Sequence, residues 1–135
     1  MKVVVIDGQG GKMGRALVEN IIKQDLPCDL IAIGTNSLAT EAMLKGGATA
    51  AATGENPVVV NAKDADIIAG PMGIIAANAL LGEVTPSMAL AVSESRALKV
   101  LIPVNRCGIF AAGTEDKNPA QYIESAVRKI AEICR

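Results

Sequence analysis

Near its N-terminus the chain reads Val3-Val4-Val5-Ile6-Asp7-Gly8-Gln9-Gly10-Gly11-Lys12-Met13-Gly14-Arg15. The first four residues are a continuous apolar run, the pattern of a strand buried on both faces. Glycines 8, 10, 11 and 14 follow at once, and Leu17, Val18, Ile21 and Ile22 then recur at helical spacing. Strand, glycine turn and helix in that order open a βαβ unit. In such a unit the first glycine permits the sharp turn off the strand. The middle ones let backbone N–H groups approach a pyrophosphate, and the last lets the helix pack on the sheet. The helix N-terminus adds partial positive charge. Here the spacing is Gly-x-x-Gly-x-x-Gly at 8, 11 and 14 with an extra Gly10. The strict Gly-x-Gly-x-x-Gly spacing fails because position 13 is Met. The Gly-Lys-[Ser/Thr] ending of a P-loop is absent. The competing reading is a glycine-rich turn with no ligand.

Outward from this unit, strands and helices alternate. Leu30-Ile31-Ala32-Ile33 predicts a second strand, stopped by Gly34. Ser37 is a candidate N-cap for a helix that ends at Gly46-Gly47. The alanines of 48–52 predict a weak third strand, and residues 58–62 a short helix after a loop over 53–57. Ile67-Ile68-Ala69 is a fourth strand, closed by Gly70-Pro71. Residues 73–82 read as a helix apolar on nearly all sides, buried or lining a subunit interface. Thr85-Pro86 and Asn118-Pro119 each place a capping residue before a proline at the first helical position, and Gln121 completes a capping box in the second case. Val100-Leu101-Ile102 is a fifth strand and residues 109–112 a sixth. The expected architecture is a Rossmann-like, doubly wound, mostly parallel α/β sheet of five or six strands, with residues 1–135 as one nucleotide-binding domain.

Composition narrows the function classes. Half of the 135 residues are hydrophobic, but Tyr122 and Phe110 are the only aromatics, so the core is packed from aliphatic side chains. The formal net charge is −1 with no basic face and no stacking platforms, which argues against nucleic acid. There is no histidine, and Cys28, Cys107 and Cys134 lie far apart, so no zinc site is expected. Reduced thiols and the absence of a signal peptide or a membrane-length apolar run point to the cytoplasm.

Ligands in open α/β sheets lie outside the carboxyl ends of the strands. Asp7, Thr35-Asn36-Ser37, Thr53-Glu55-Asn56, Gly70-Pro71-Met72-Gly73 and Asn105-Arg106-Cys107 fall there. At the end of the second strand an Asp or Glu ordinarily holds the ribose of NAD. Thr35, Asn36 and Ser37 stand there instead, and the missing acid tilts the choice towards NADP. Asp7 either accepts hydrogen bonds from the loop's own N–H groups or holds a divalent ion beside the phosphates. Lys12 and Arg15 screen it, touch phosphate or are merely solvated. Cys107 beside Arg106 is a candidate reactive thiol, weighed against an inert one.

The stretch Gly8-Gln9-Gly10-Gly11-Lys12-Met13-Gly14-Arg15 resembles the cofactor loop of dihydrodipicolinate reductases, which implies NADH or NADPH. That resemblance spans only about the first 35 residues, without the enzyme's substrate domain or its catalytic His/Lys motif, so its reaction does not carry over. End to end, the chain resembles a family of short bacterial proteins known as a domain of unknown function. The matching stretches are Ile6-Asp7-Gly8-Gln9-Gly10-Gly11, Gly34-Thr35-Asn36-Ser37-Leu38-Ala39-Thr40, Ala52-Thr53-Gly54-Glu55-Asn56, Gly70-Pro71-Met72-Gly73-Ile74 and Pro103-Val104-Asn105-Arg106-Cys107. That likeness implies a Rossmann-like fold and no particular activity.

The expectation is therefore an NAD(P)-type dinucleotide-binding or sensing protein of unassigned reaction. Its cofactor site would be Asp7, Gly8, Gln9, Gly10, Gly11, Lys12, Met13 and Gly14, with Thr35, Asn36 and Ser37 on one side and Gly70, Pro71 and Met72 on the other. Two alternatives stand beside it. One is an NAD(P)-dependent oxidoreductase whose site is completed by a second subunit, because a chain this short has no room for a substrate domain. The other is a domain that holds a mononucleotide or another phosphate ligand. A homo-oligomer, specifically a dimer built on residues 73–82, is expected, with neither a nucleic-acid nor a membrane partner.

Overall fold

The N-terminal apolar run is the centre of the molecule. A computed structural model, which describes residues 1–104, 106, 108–115 and 117–135, makes it strand β1 (Lys2–Asp7). On one side lie β2 (Asp29–Gly34) and β3 (Ala50–Thr53), and on the other β4 (Ile67–Pro71) and β5 (Leu98–Ile102). The order is β3-β2-β1-β4-β5 and every pairing is parallel. The helices are α1 (Lys12–Lys23), α2 (Ser37–Lys45), α3 (Glu55–Ala62), α4 (Pro86–Glu94) and α5 (Pro119–Cys134).

Alternation along β1 assigns the helices to faces. Val3 and Val5 join Leu17, Val18 and Ile21 of α1, Met43 of α2, and Ala126, Val127 and Ile130 of α5. Val4 and Ile6 point the other way, onto Val58 and Ala62 of α3 and Met88, Ala89 and Val92 of α4. Val3, Val4 and Val5 are wholly buried. Each such side chain contributes about 1.5–3 kcal/mol relative to exposure, which is why the run has no polar member before Asp7. The chain reverses direction across the sheet between β1 and β4, so the crevice at their carboxyl ends is the topological switch point.

Several elements differ from the sequence reading. Residues 73–82 are not a helix. A short 3-10 helix, Met72–Ile75, is followed by turns with Asn78, Leu80 and Leu81 in the left-handed region (φ 66°, 57° and 57°). Only part of the segment is buried, through Ile74 and Ala79, while Leu81 is 95% exposed. Uniform apolarity carried no periodicity to separate helix from loop. Residues 109–112 form no strand, and the sheet of the described residues stops at five. That loop is tied to α5 by the Tyr122 hydroxyl, which donates to the Thr114 carbonyl at 2.7 Å. Helix α3 begins at Glu55 rather than 58, because Pro57 in a first turn gives up only an N–H that has no intrahelical partner. The caps Thr85 and Asn118 are as expected, the latter with its full capping box to Gln121. No helix among the described residues is long and apolar enough to cross a membrane.

Candidate functional site

The glycine loop leaves β1 at Asp7 and enters α1 at Lys12, and its backbone donors divide into two groups. One group is consumed internally. The Asp7 carboxylate accepts from Gly8 N–H at 2.8 Å and from Gly14 N–H at 2.6 Å, so the acid staples the loop from strand end to helix start. Gly11 N–H donates to the Gly8 carbonyl and Gln9 N–H to Glu83 Oε1, both at 2.9 Å. The other group is open. Among the described residues, the N–H groups of Gly10, Lys12 and Met13 have no protein acceptor. These three open donors lie at the start of α1, and a helix N-terminus with open N–H groups is the arrangement that receives an anion.

They face a cleft of about 540 Å³, within the range of roughly 300–1,000 Å³ usual for small-molecule sites. Residues 7–13 form its floor. Pro71, Met72 and Gly73 at the end of β4 form one wall, and Val104, Arg106 and Ile109 after β5, with Pro119 and Ile123 of α5, form the other. The cleft thus pairs a polar corner with an apolar arm built from Met13, Met72, Val104, Ile109 and Ile123. Its described titratable groups are Asp7, Lys12 and Arg106. Burial pushes the Asp7 carboxyl above its ordinary value and the nearby Glu83 charge adds to this, while the Gly14 and Gly8 N–H groups oppose it.

The expected site residues separate accordingly. Asp7, Gly8, Gln9, Gly10, Gly11, Lys12, Met13, Pro71 and Met72 line the cleft. Gly14 does not. It lies under the loop, where a Cβ would sit 2.7 Å from both Asp7 Cβ and Met43 Sδ. Gly70 is glycine because β4 lies against β1, and a Cβ there would be 2.2 Å from the Ile6 carbonyl oxygen. Arg15 pairs with Glu19 at 2.8 Å and takes no part. Ser37 is exposed at the first position of α2 and is not its cap. Asn36 is the cap, accepting from Ala39 N–H at 2.9 Å. Asn105 and Cys107 lie outside the described residues.

Thr35 and Asn36 are not open to the cleft either. The Thr35 hydroxyl donates to Glu83 Oε1 at 2.8 Å and the Asn36 amide to the same oxygen at 2.6 Å. With Gln9 N–H, three donors meet on one carboxylate. Burial works to raise the Glu83 pKa, but the three donors together outweigh it and hold the carboxyl below its ordinary value. Sequence reasoning missed Glu83. Its one signal was being the sole charge between Asp66 and Glu94. Its neighbour Leu80 presses onto the loop, and a Cβ on Gly8 would stand 2.5 Å from Thr35 Oγ1, 2.7 Å from Leu80 Cδ1 and 3.1 Å from Glu83 Oε1. The space above Gly8 is therefore filled by the protein itself.

Fold and site together define a Rossmann-like α/β protein with a glycine loop at the switch point whose Gly10, Lys12 and Met13 N–H groups have no acceptor among the described residues. The chain belongs to the family described as "Domain of unknown function (DUF3842)", whose family model matches residues 2–135. No curated protein matches the sequence. Among solved structures it is similar to a crystal structure described as a dodecameric FMN-dependent Ubix-like decarboxylase from Escherichia coli O157:H7. The identity is 14%, the coverage 98% of this chain and 94% of that one, and the TM-score 0.55. This likeness is one of fold.

The expectation of NAD or NADP, as bound ligand or as oxidoreductase cofactor, is corrected by these findings. The solved structure of like fold is described as FMN-dependent. Within this chain, a dinucleotide's adenosine ribose would lie at the end of β2, where Thr35 and Asn36 are already bound to Glu83. Glu83 brings a negative charge to that strand end with Oε1 already taken by Gln9, Thr35 and Asn36, and its charge repels a 2′-phosphate, which removes the reason for preferring NADP. The reason given for a dimer also falls away. The helix meant to build it is absent, since residues 73–82 hold only the end of a 3-10 helix and turns.

Proposed function

We propose that this chain is a mononucleotide-binding protein of the FMN class, acting as one unit over residues 1–135. The observation that carries the proposal is the trio of open N–H groups, Gly10, Lys12 and Met13, beside an apolar arm. A terminal phosphate accepts from those donors, and the helix N-terminus favours its charge. Lys12 and Arg106 at the rim offset the field of Asp7 and Glu83. The arm from Met72 and Pro71 to Val104, Ile109 and Ile123 offers a planar ring an apolar bed. Gly8, Gln9, Gly11, Gly14 and Asp7 hold the loop's shape, and Gly70 lets β4 bring Pro71 and Met72 to the wall. FMN would supply flavin chemistry when bound, and the chain's own residues bind and orient it. The FMN dependence of the structure of like fold supports the ligand class.

A homo-oligomer fits this reading, supported by exposed Leu38, Val60, Leu81, Leu90 and Phe110 and by the oligomeric state of that structure. The free Cys28 and Cys134 accord with a reducing cytoplasm. Titration of the purified protein with FMN and riboflavin, followed by flavin fluorescence, tests the ligand. FMN should bind at least about tenfold more tightly than riboflavin, since the phosphate contacts are the charge-assisted ones. Equal affinities would remove the phosphate role of the loop, and no binding of either would remove the flavin reading.

A further inference from the structure

The carboxylate of Glu83 has the position and the partners of a ligand group. It accepts from Gln9 N–H at 2.9 Å, from the Thr35 hydroxyl at 2.8 Å and from the Asn36 amide at 2.6 Å. These donors come from the loop after β1, the end of β2 and the cap of α2. They surround the place where a Rossmann-type sheet otherwise seats the ribose and phosphate of an adenosine half. The segment that delivers Glu83 is costly in conformation. Asn78, Leu80 and Leu81 are left-handed although none is glycine, and the two leucines stand in a region that their side chains disfavour. Short backbone bonds close it, with Asn78 N–H on the Val84 carbonyl at 2.7 Å and Val84 N–H on the Ala79 carbonyl at 3.1 Å. Leu80 fills the remaining space above Gly8, so that Gly8 lacks a side chain for the benefit of Leu80, Thr35 and Glu83. Gly10 is different, because a Cβ there would meet nothing within 4 Å, and it faces the open half of the cleft.

We infer that Glu83 is the specificity-determining residue of this site, an internal anion that occupies the second half of a dinucleotide crevice and restricts it to mononucleotides. This rests on the proposed FMN-class site and states how far that site extends. With Glu83 and Leu80 in place, a ligand's first phosphate reaches Gly10, Lys12 and Met13, but a pyrophosphate continuing towards β2 meets a carboxylate and no free donor. Without the carboxylate, Gln9, Thr35 and Asn36 present three unmatched donors to that second phosphate or its ribose.

The test compares FMN with FAD, which share ring and first phosphate, in the full chain and in Glu83→Ala. Wild type should prefer FMN by at least about tenfold, and in Glu83→Ala the FAD/FMN affinity ratio should rise by about tenfold or more, since sites with unpaired polar groups discriminate on that scale. Far-ultraviolet dichroism and a thermal melt establish that the variant is folded. If it is not, Glu83→Gln keeps the shape and removes the charge, and the same ratio should rise by about threefold or more. An unchanged ratio in a folded variant that still binds FMN overturns the inference. If wild type binds neither flavin, the FMN-class reading fails, and ADP then tests Glu83 separately. Glu83→Ala should bind ADP about tenfold more tightly than wild type, and equal ADP affinity overturns the inference on its own.

Discussion

A methyl group on Gly10 would meet nothing within 4 Å, whereas one on Gly11 would stand 2.7 Å from the Ala39 Cα and one on Gly14 2.7 Å from Asp7 Cβ. Gly11 is also left-handed, at φ 69°. Gly10→Ala should therefore leave stability within about 0.5 kcal/mol, while Gly14→Ala should cost about 1–3 kcal/mol, both read from urea denaturation. The bulkier Gly10→Val should still fold but lose FMN affinity by roughly tenfold, because the side chain enters the ligand's space. The two carboxylates respond to pH with opposite signs. Glu83 has a folded pKa below its ordinary value of 4.5, so its stabilisation is present above that value and is lost as pH falls through the lower folded one. The stability gap between wild type and Glu83→Gln, measured by denaturation across pH, should be widest near neutrality and close in acid. A gap constant with pH would mean that the three donors do not recognise the charge. Asp7, whose folded value is raised, works the other way, and its contribution falls as pH rises through that value. At this scale the sequence disclosed the loop and its staple, since Asp7 beside a glycine turn invites backbone donors. Glu83 stayed hidden because its partners lie 47, 48 and 74 positions away in the chain.

Helix α2 shows how a cap is chosen between neighbours. Ser37 and Asn36 both have the chemistry, but Asn36 stands in extended backbone (φ −140°) and bonds three ways, to Ala39 N–H, the Gln9 carbonyl and Glu83. Asn36→Ala should cost about 1–2 kcal/mol and Ser37→Ala less than about 0.5 in urea denaturation, and the reverse ranking would restore Ser37 as the cap. The two Pro-led helices were legible because cap, proline and apolar stripe agree over several residues. The 72–84 segment was not, because its alanines, leucines and isoleucines satisfy a buried helix and a packed turn equally well. Its strain is measurable. Leu81→Gly should stabilise the protein by up to about 1 kcal/mol, since the left-handed penalty exceeds glycine's entropic cost. A loss of stability would show that the Leu81 side chain is held by something beyond the single chain.

At the scale of the molecule, the continuous apolar strands and the short crossovers carried the parallel sheet, and the glycine turn placed β1 beside the switch point. What could not be read was which half of the crevice stays open, because that depends on a distant turn folding back over Gly8. Self-association is the prediction proper to this scale. Light scattering should give a solution mass above that of one chain, and a strictly monomeric sample would leave the exposed leucines without that explanation.

The aliphatic core has an optical consequence. With no tryptophan and one tyrosine, the chain is nearly dark in the near ultraviolet, and its emission arises from a single phenol. That phenol, Tyr122, is anchored to Thr114 and sits on α5, the helix that lends Pro119 and Ile123 to the cleft wall. The protein therefore carries one native chromophore on an element that bounds its own site, and quenching of Tyr122 by an absorbing ligand, which energy transfer allows without contact, reports occupancy of that cleft with no label attached.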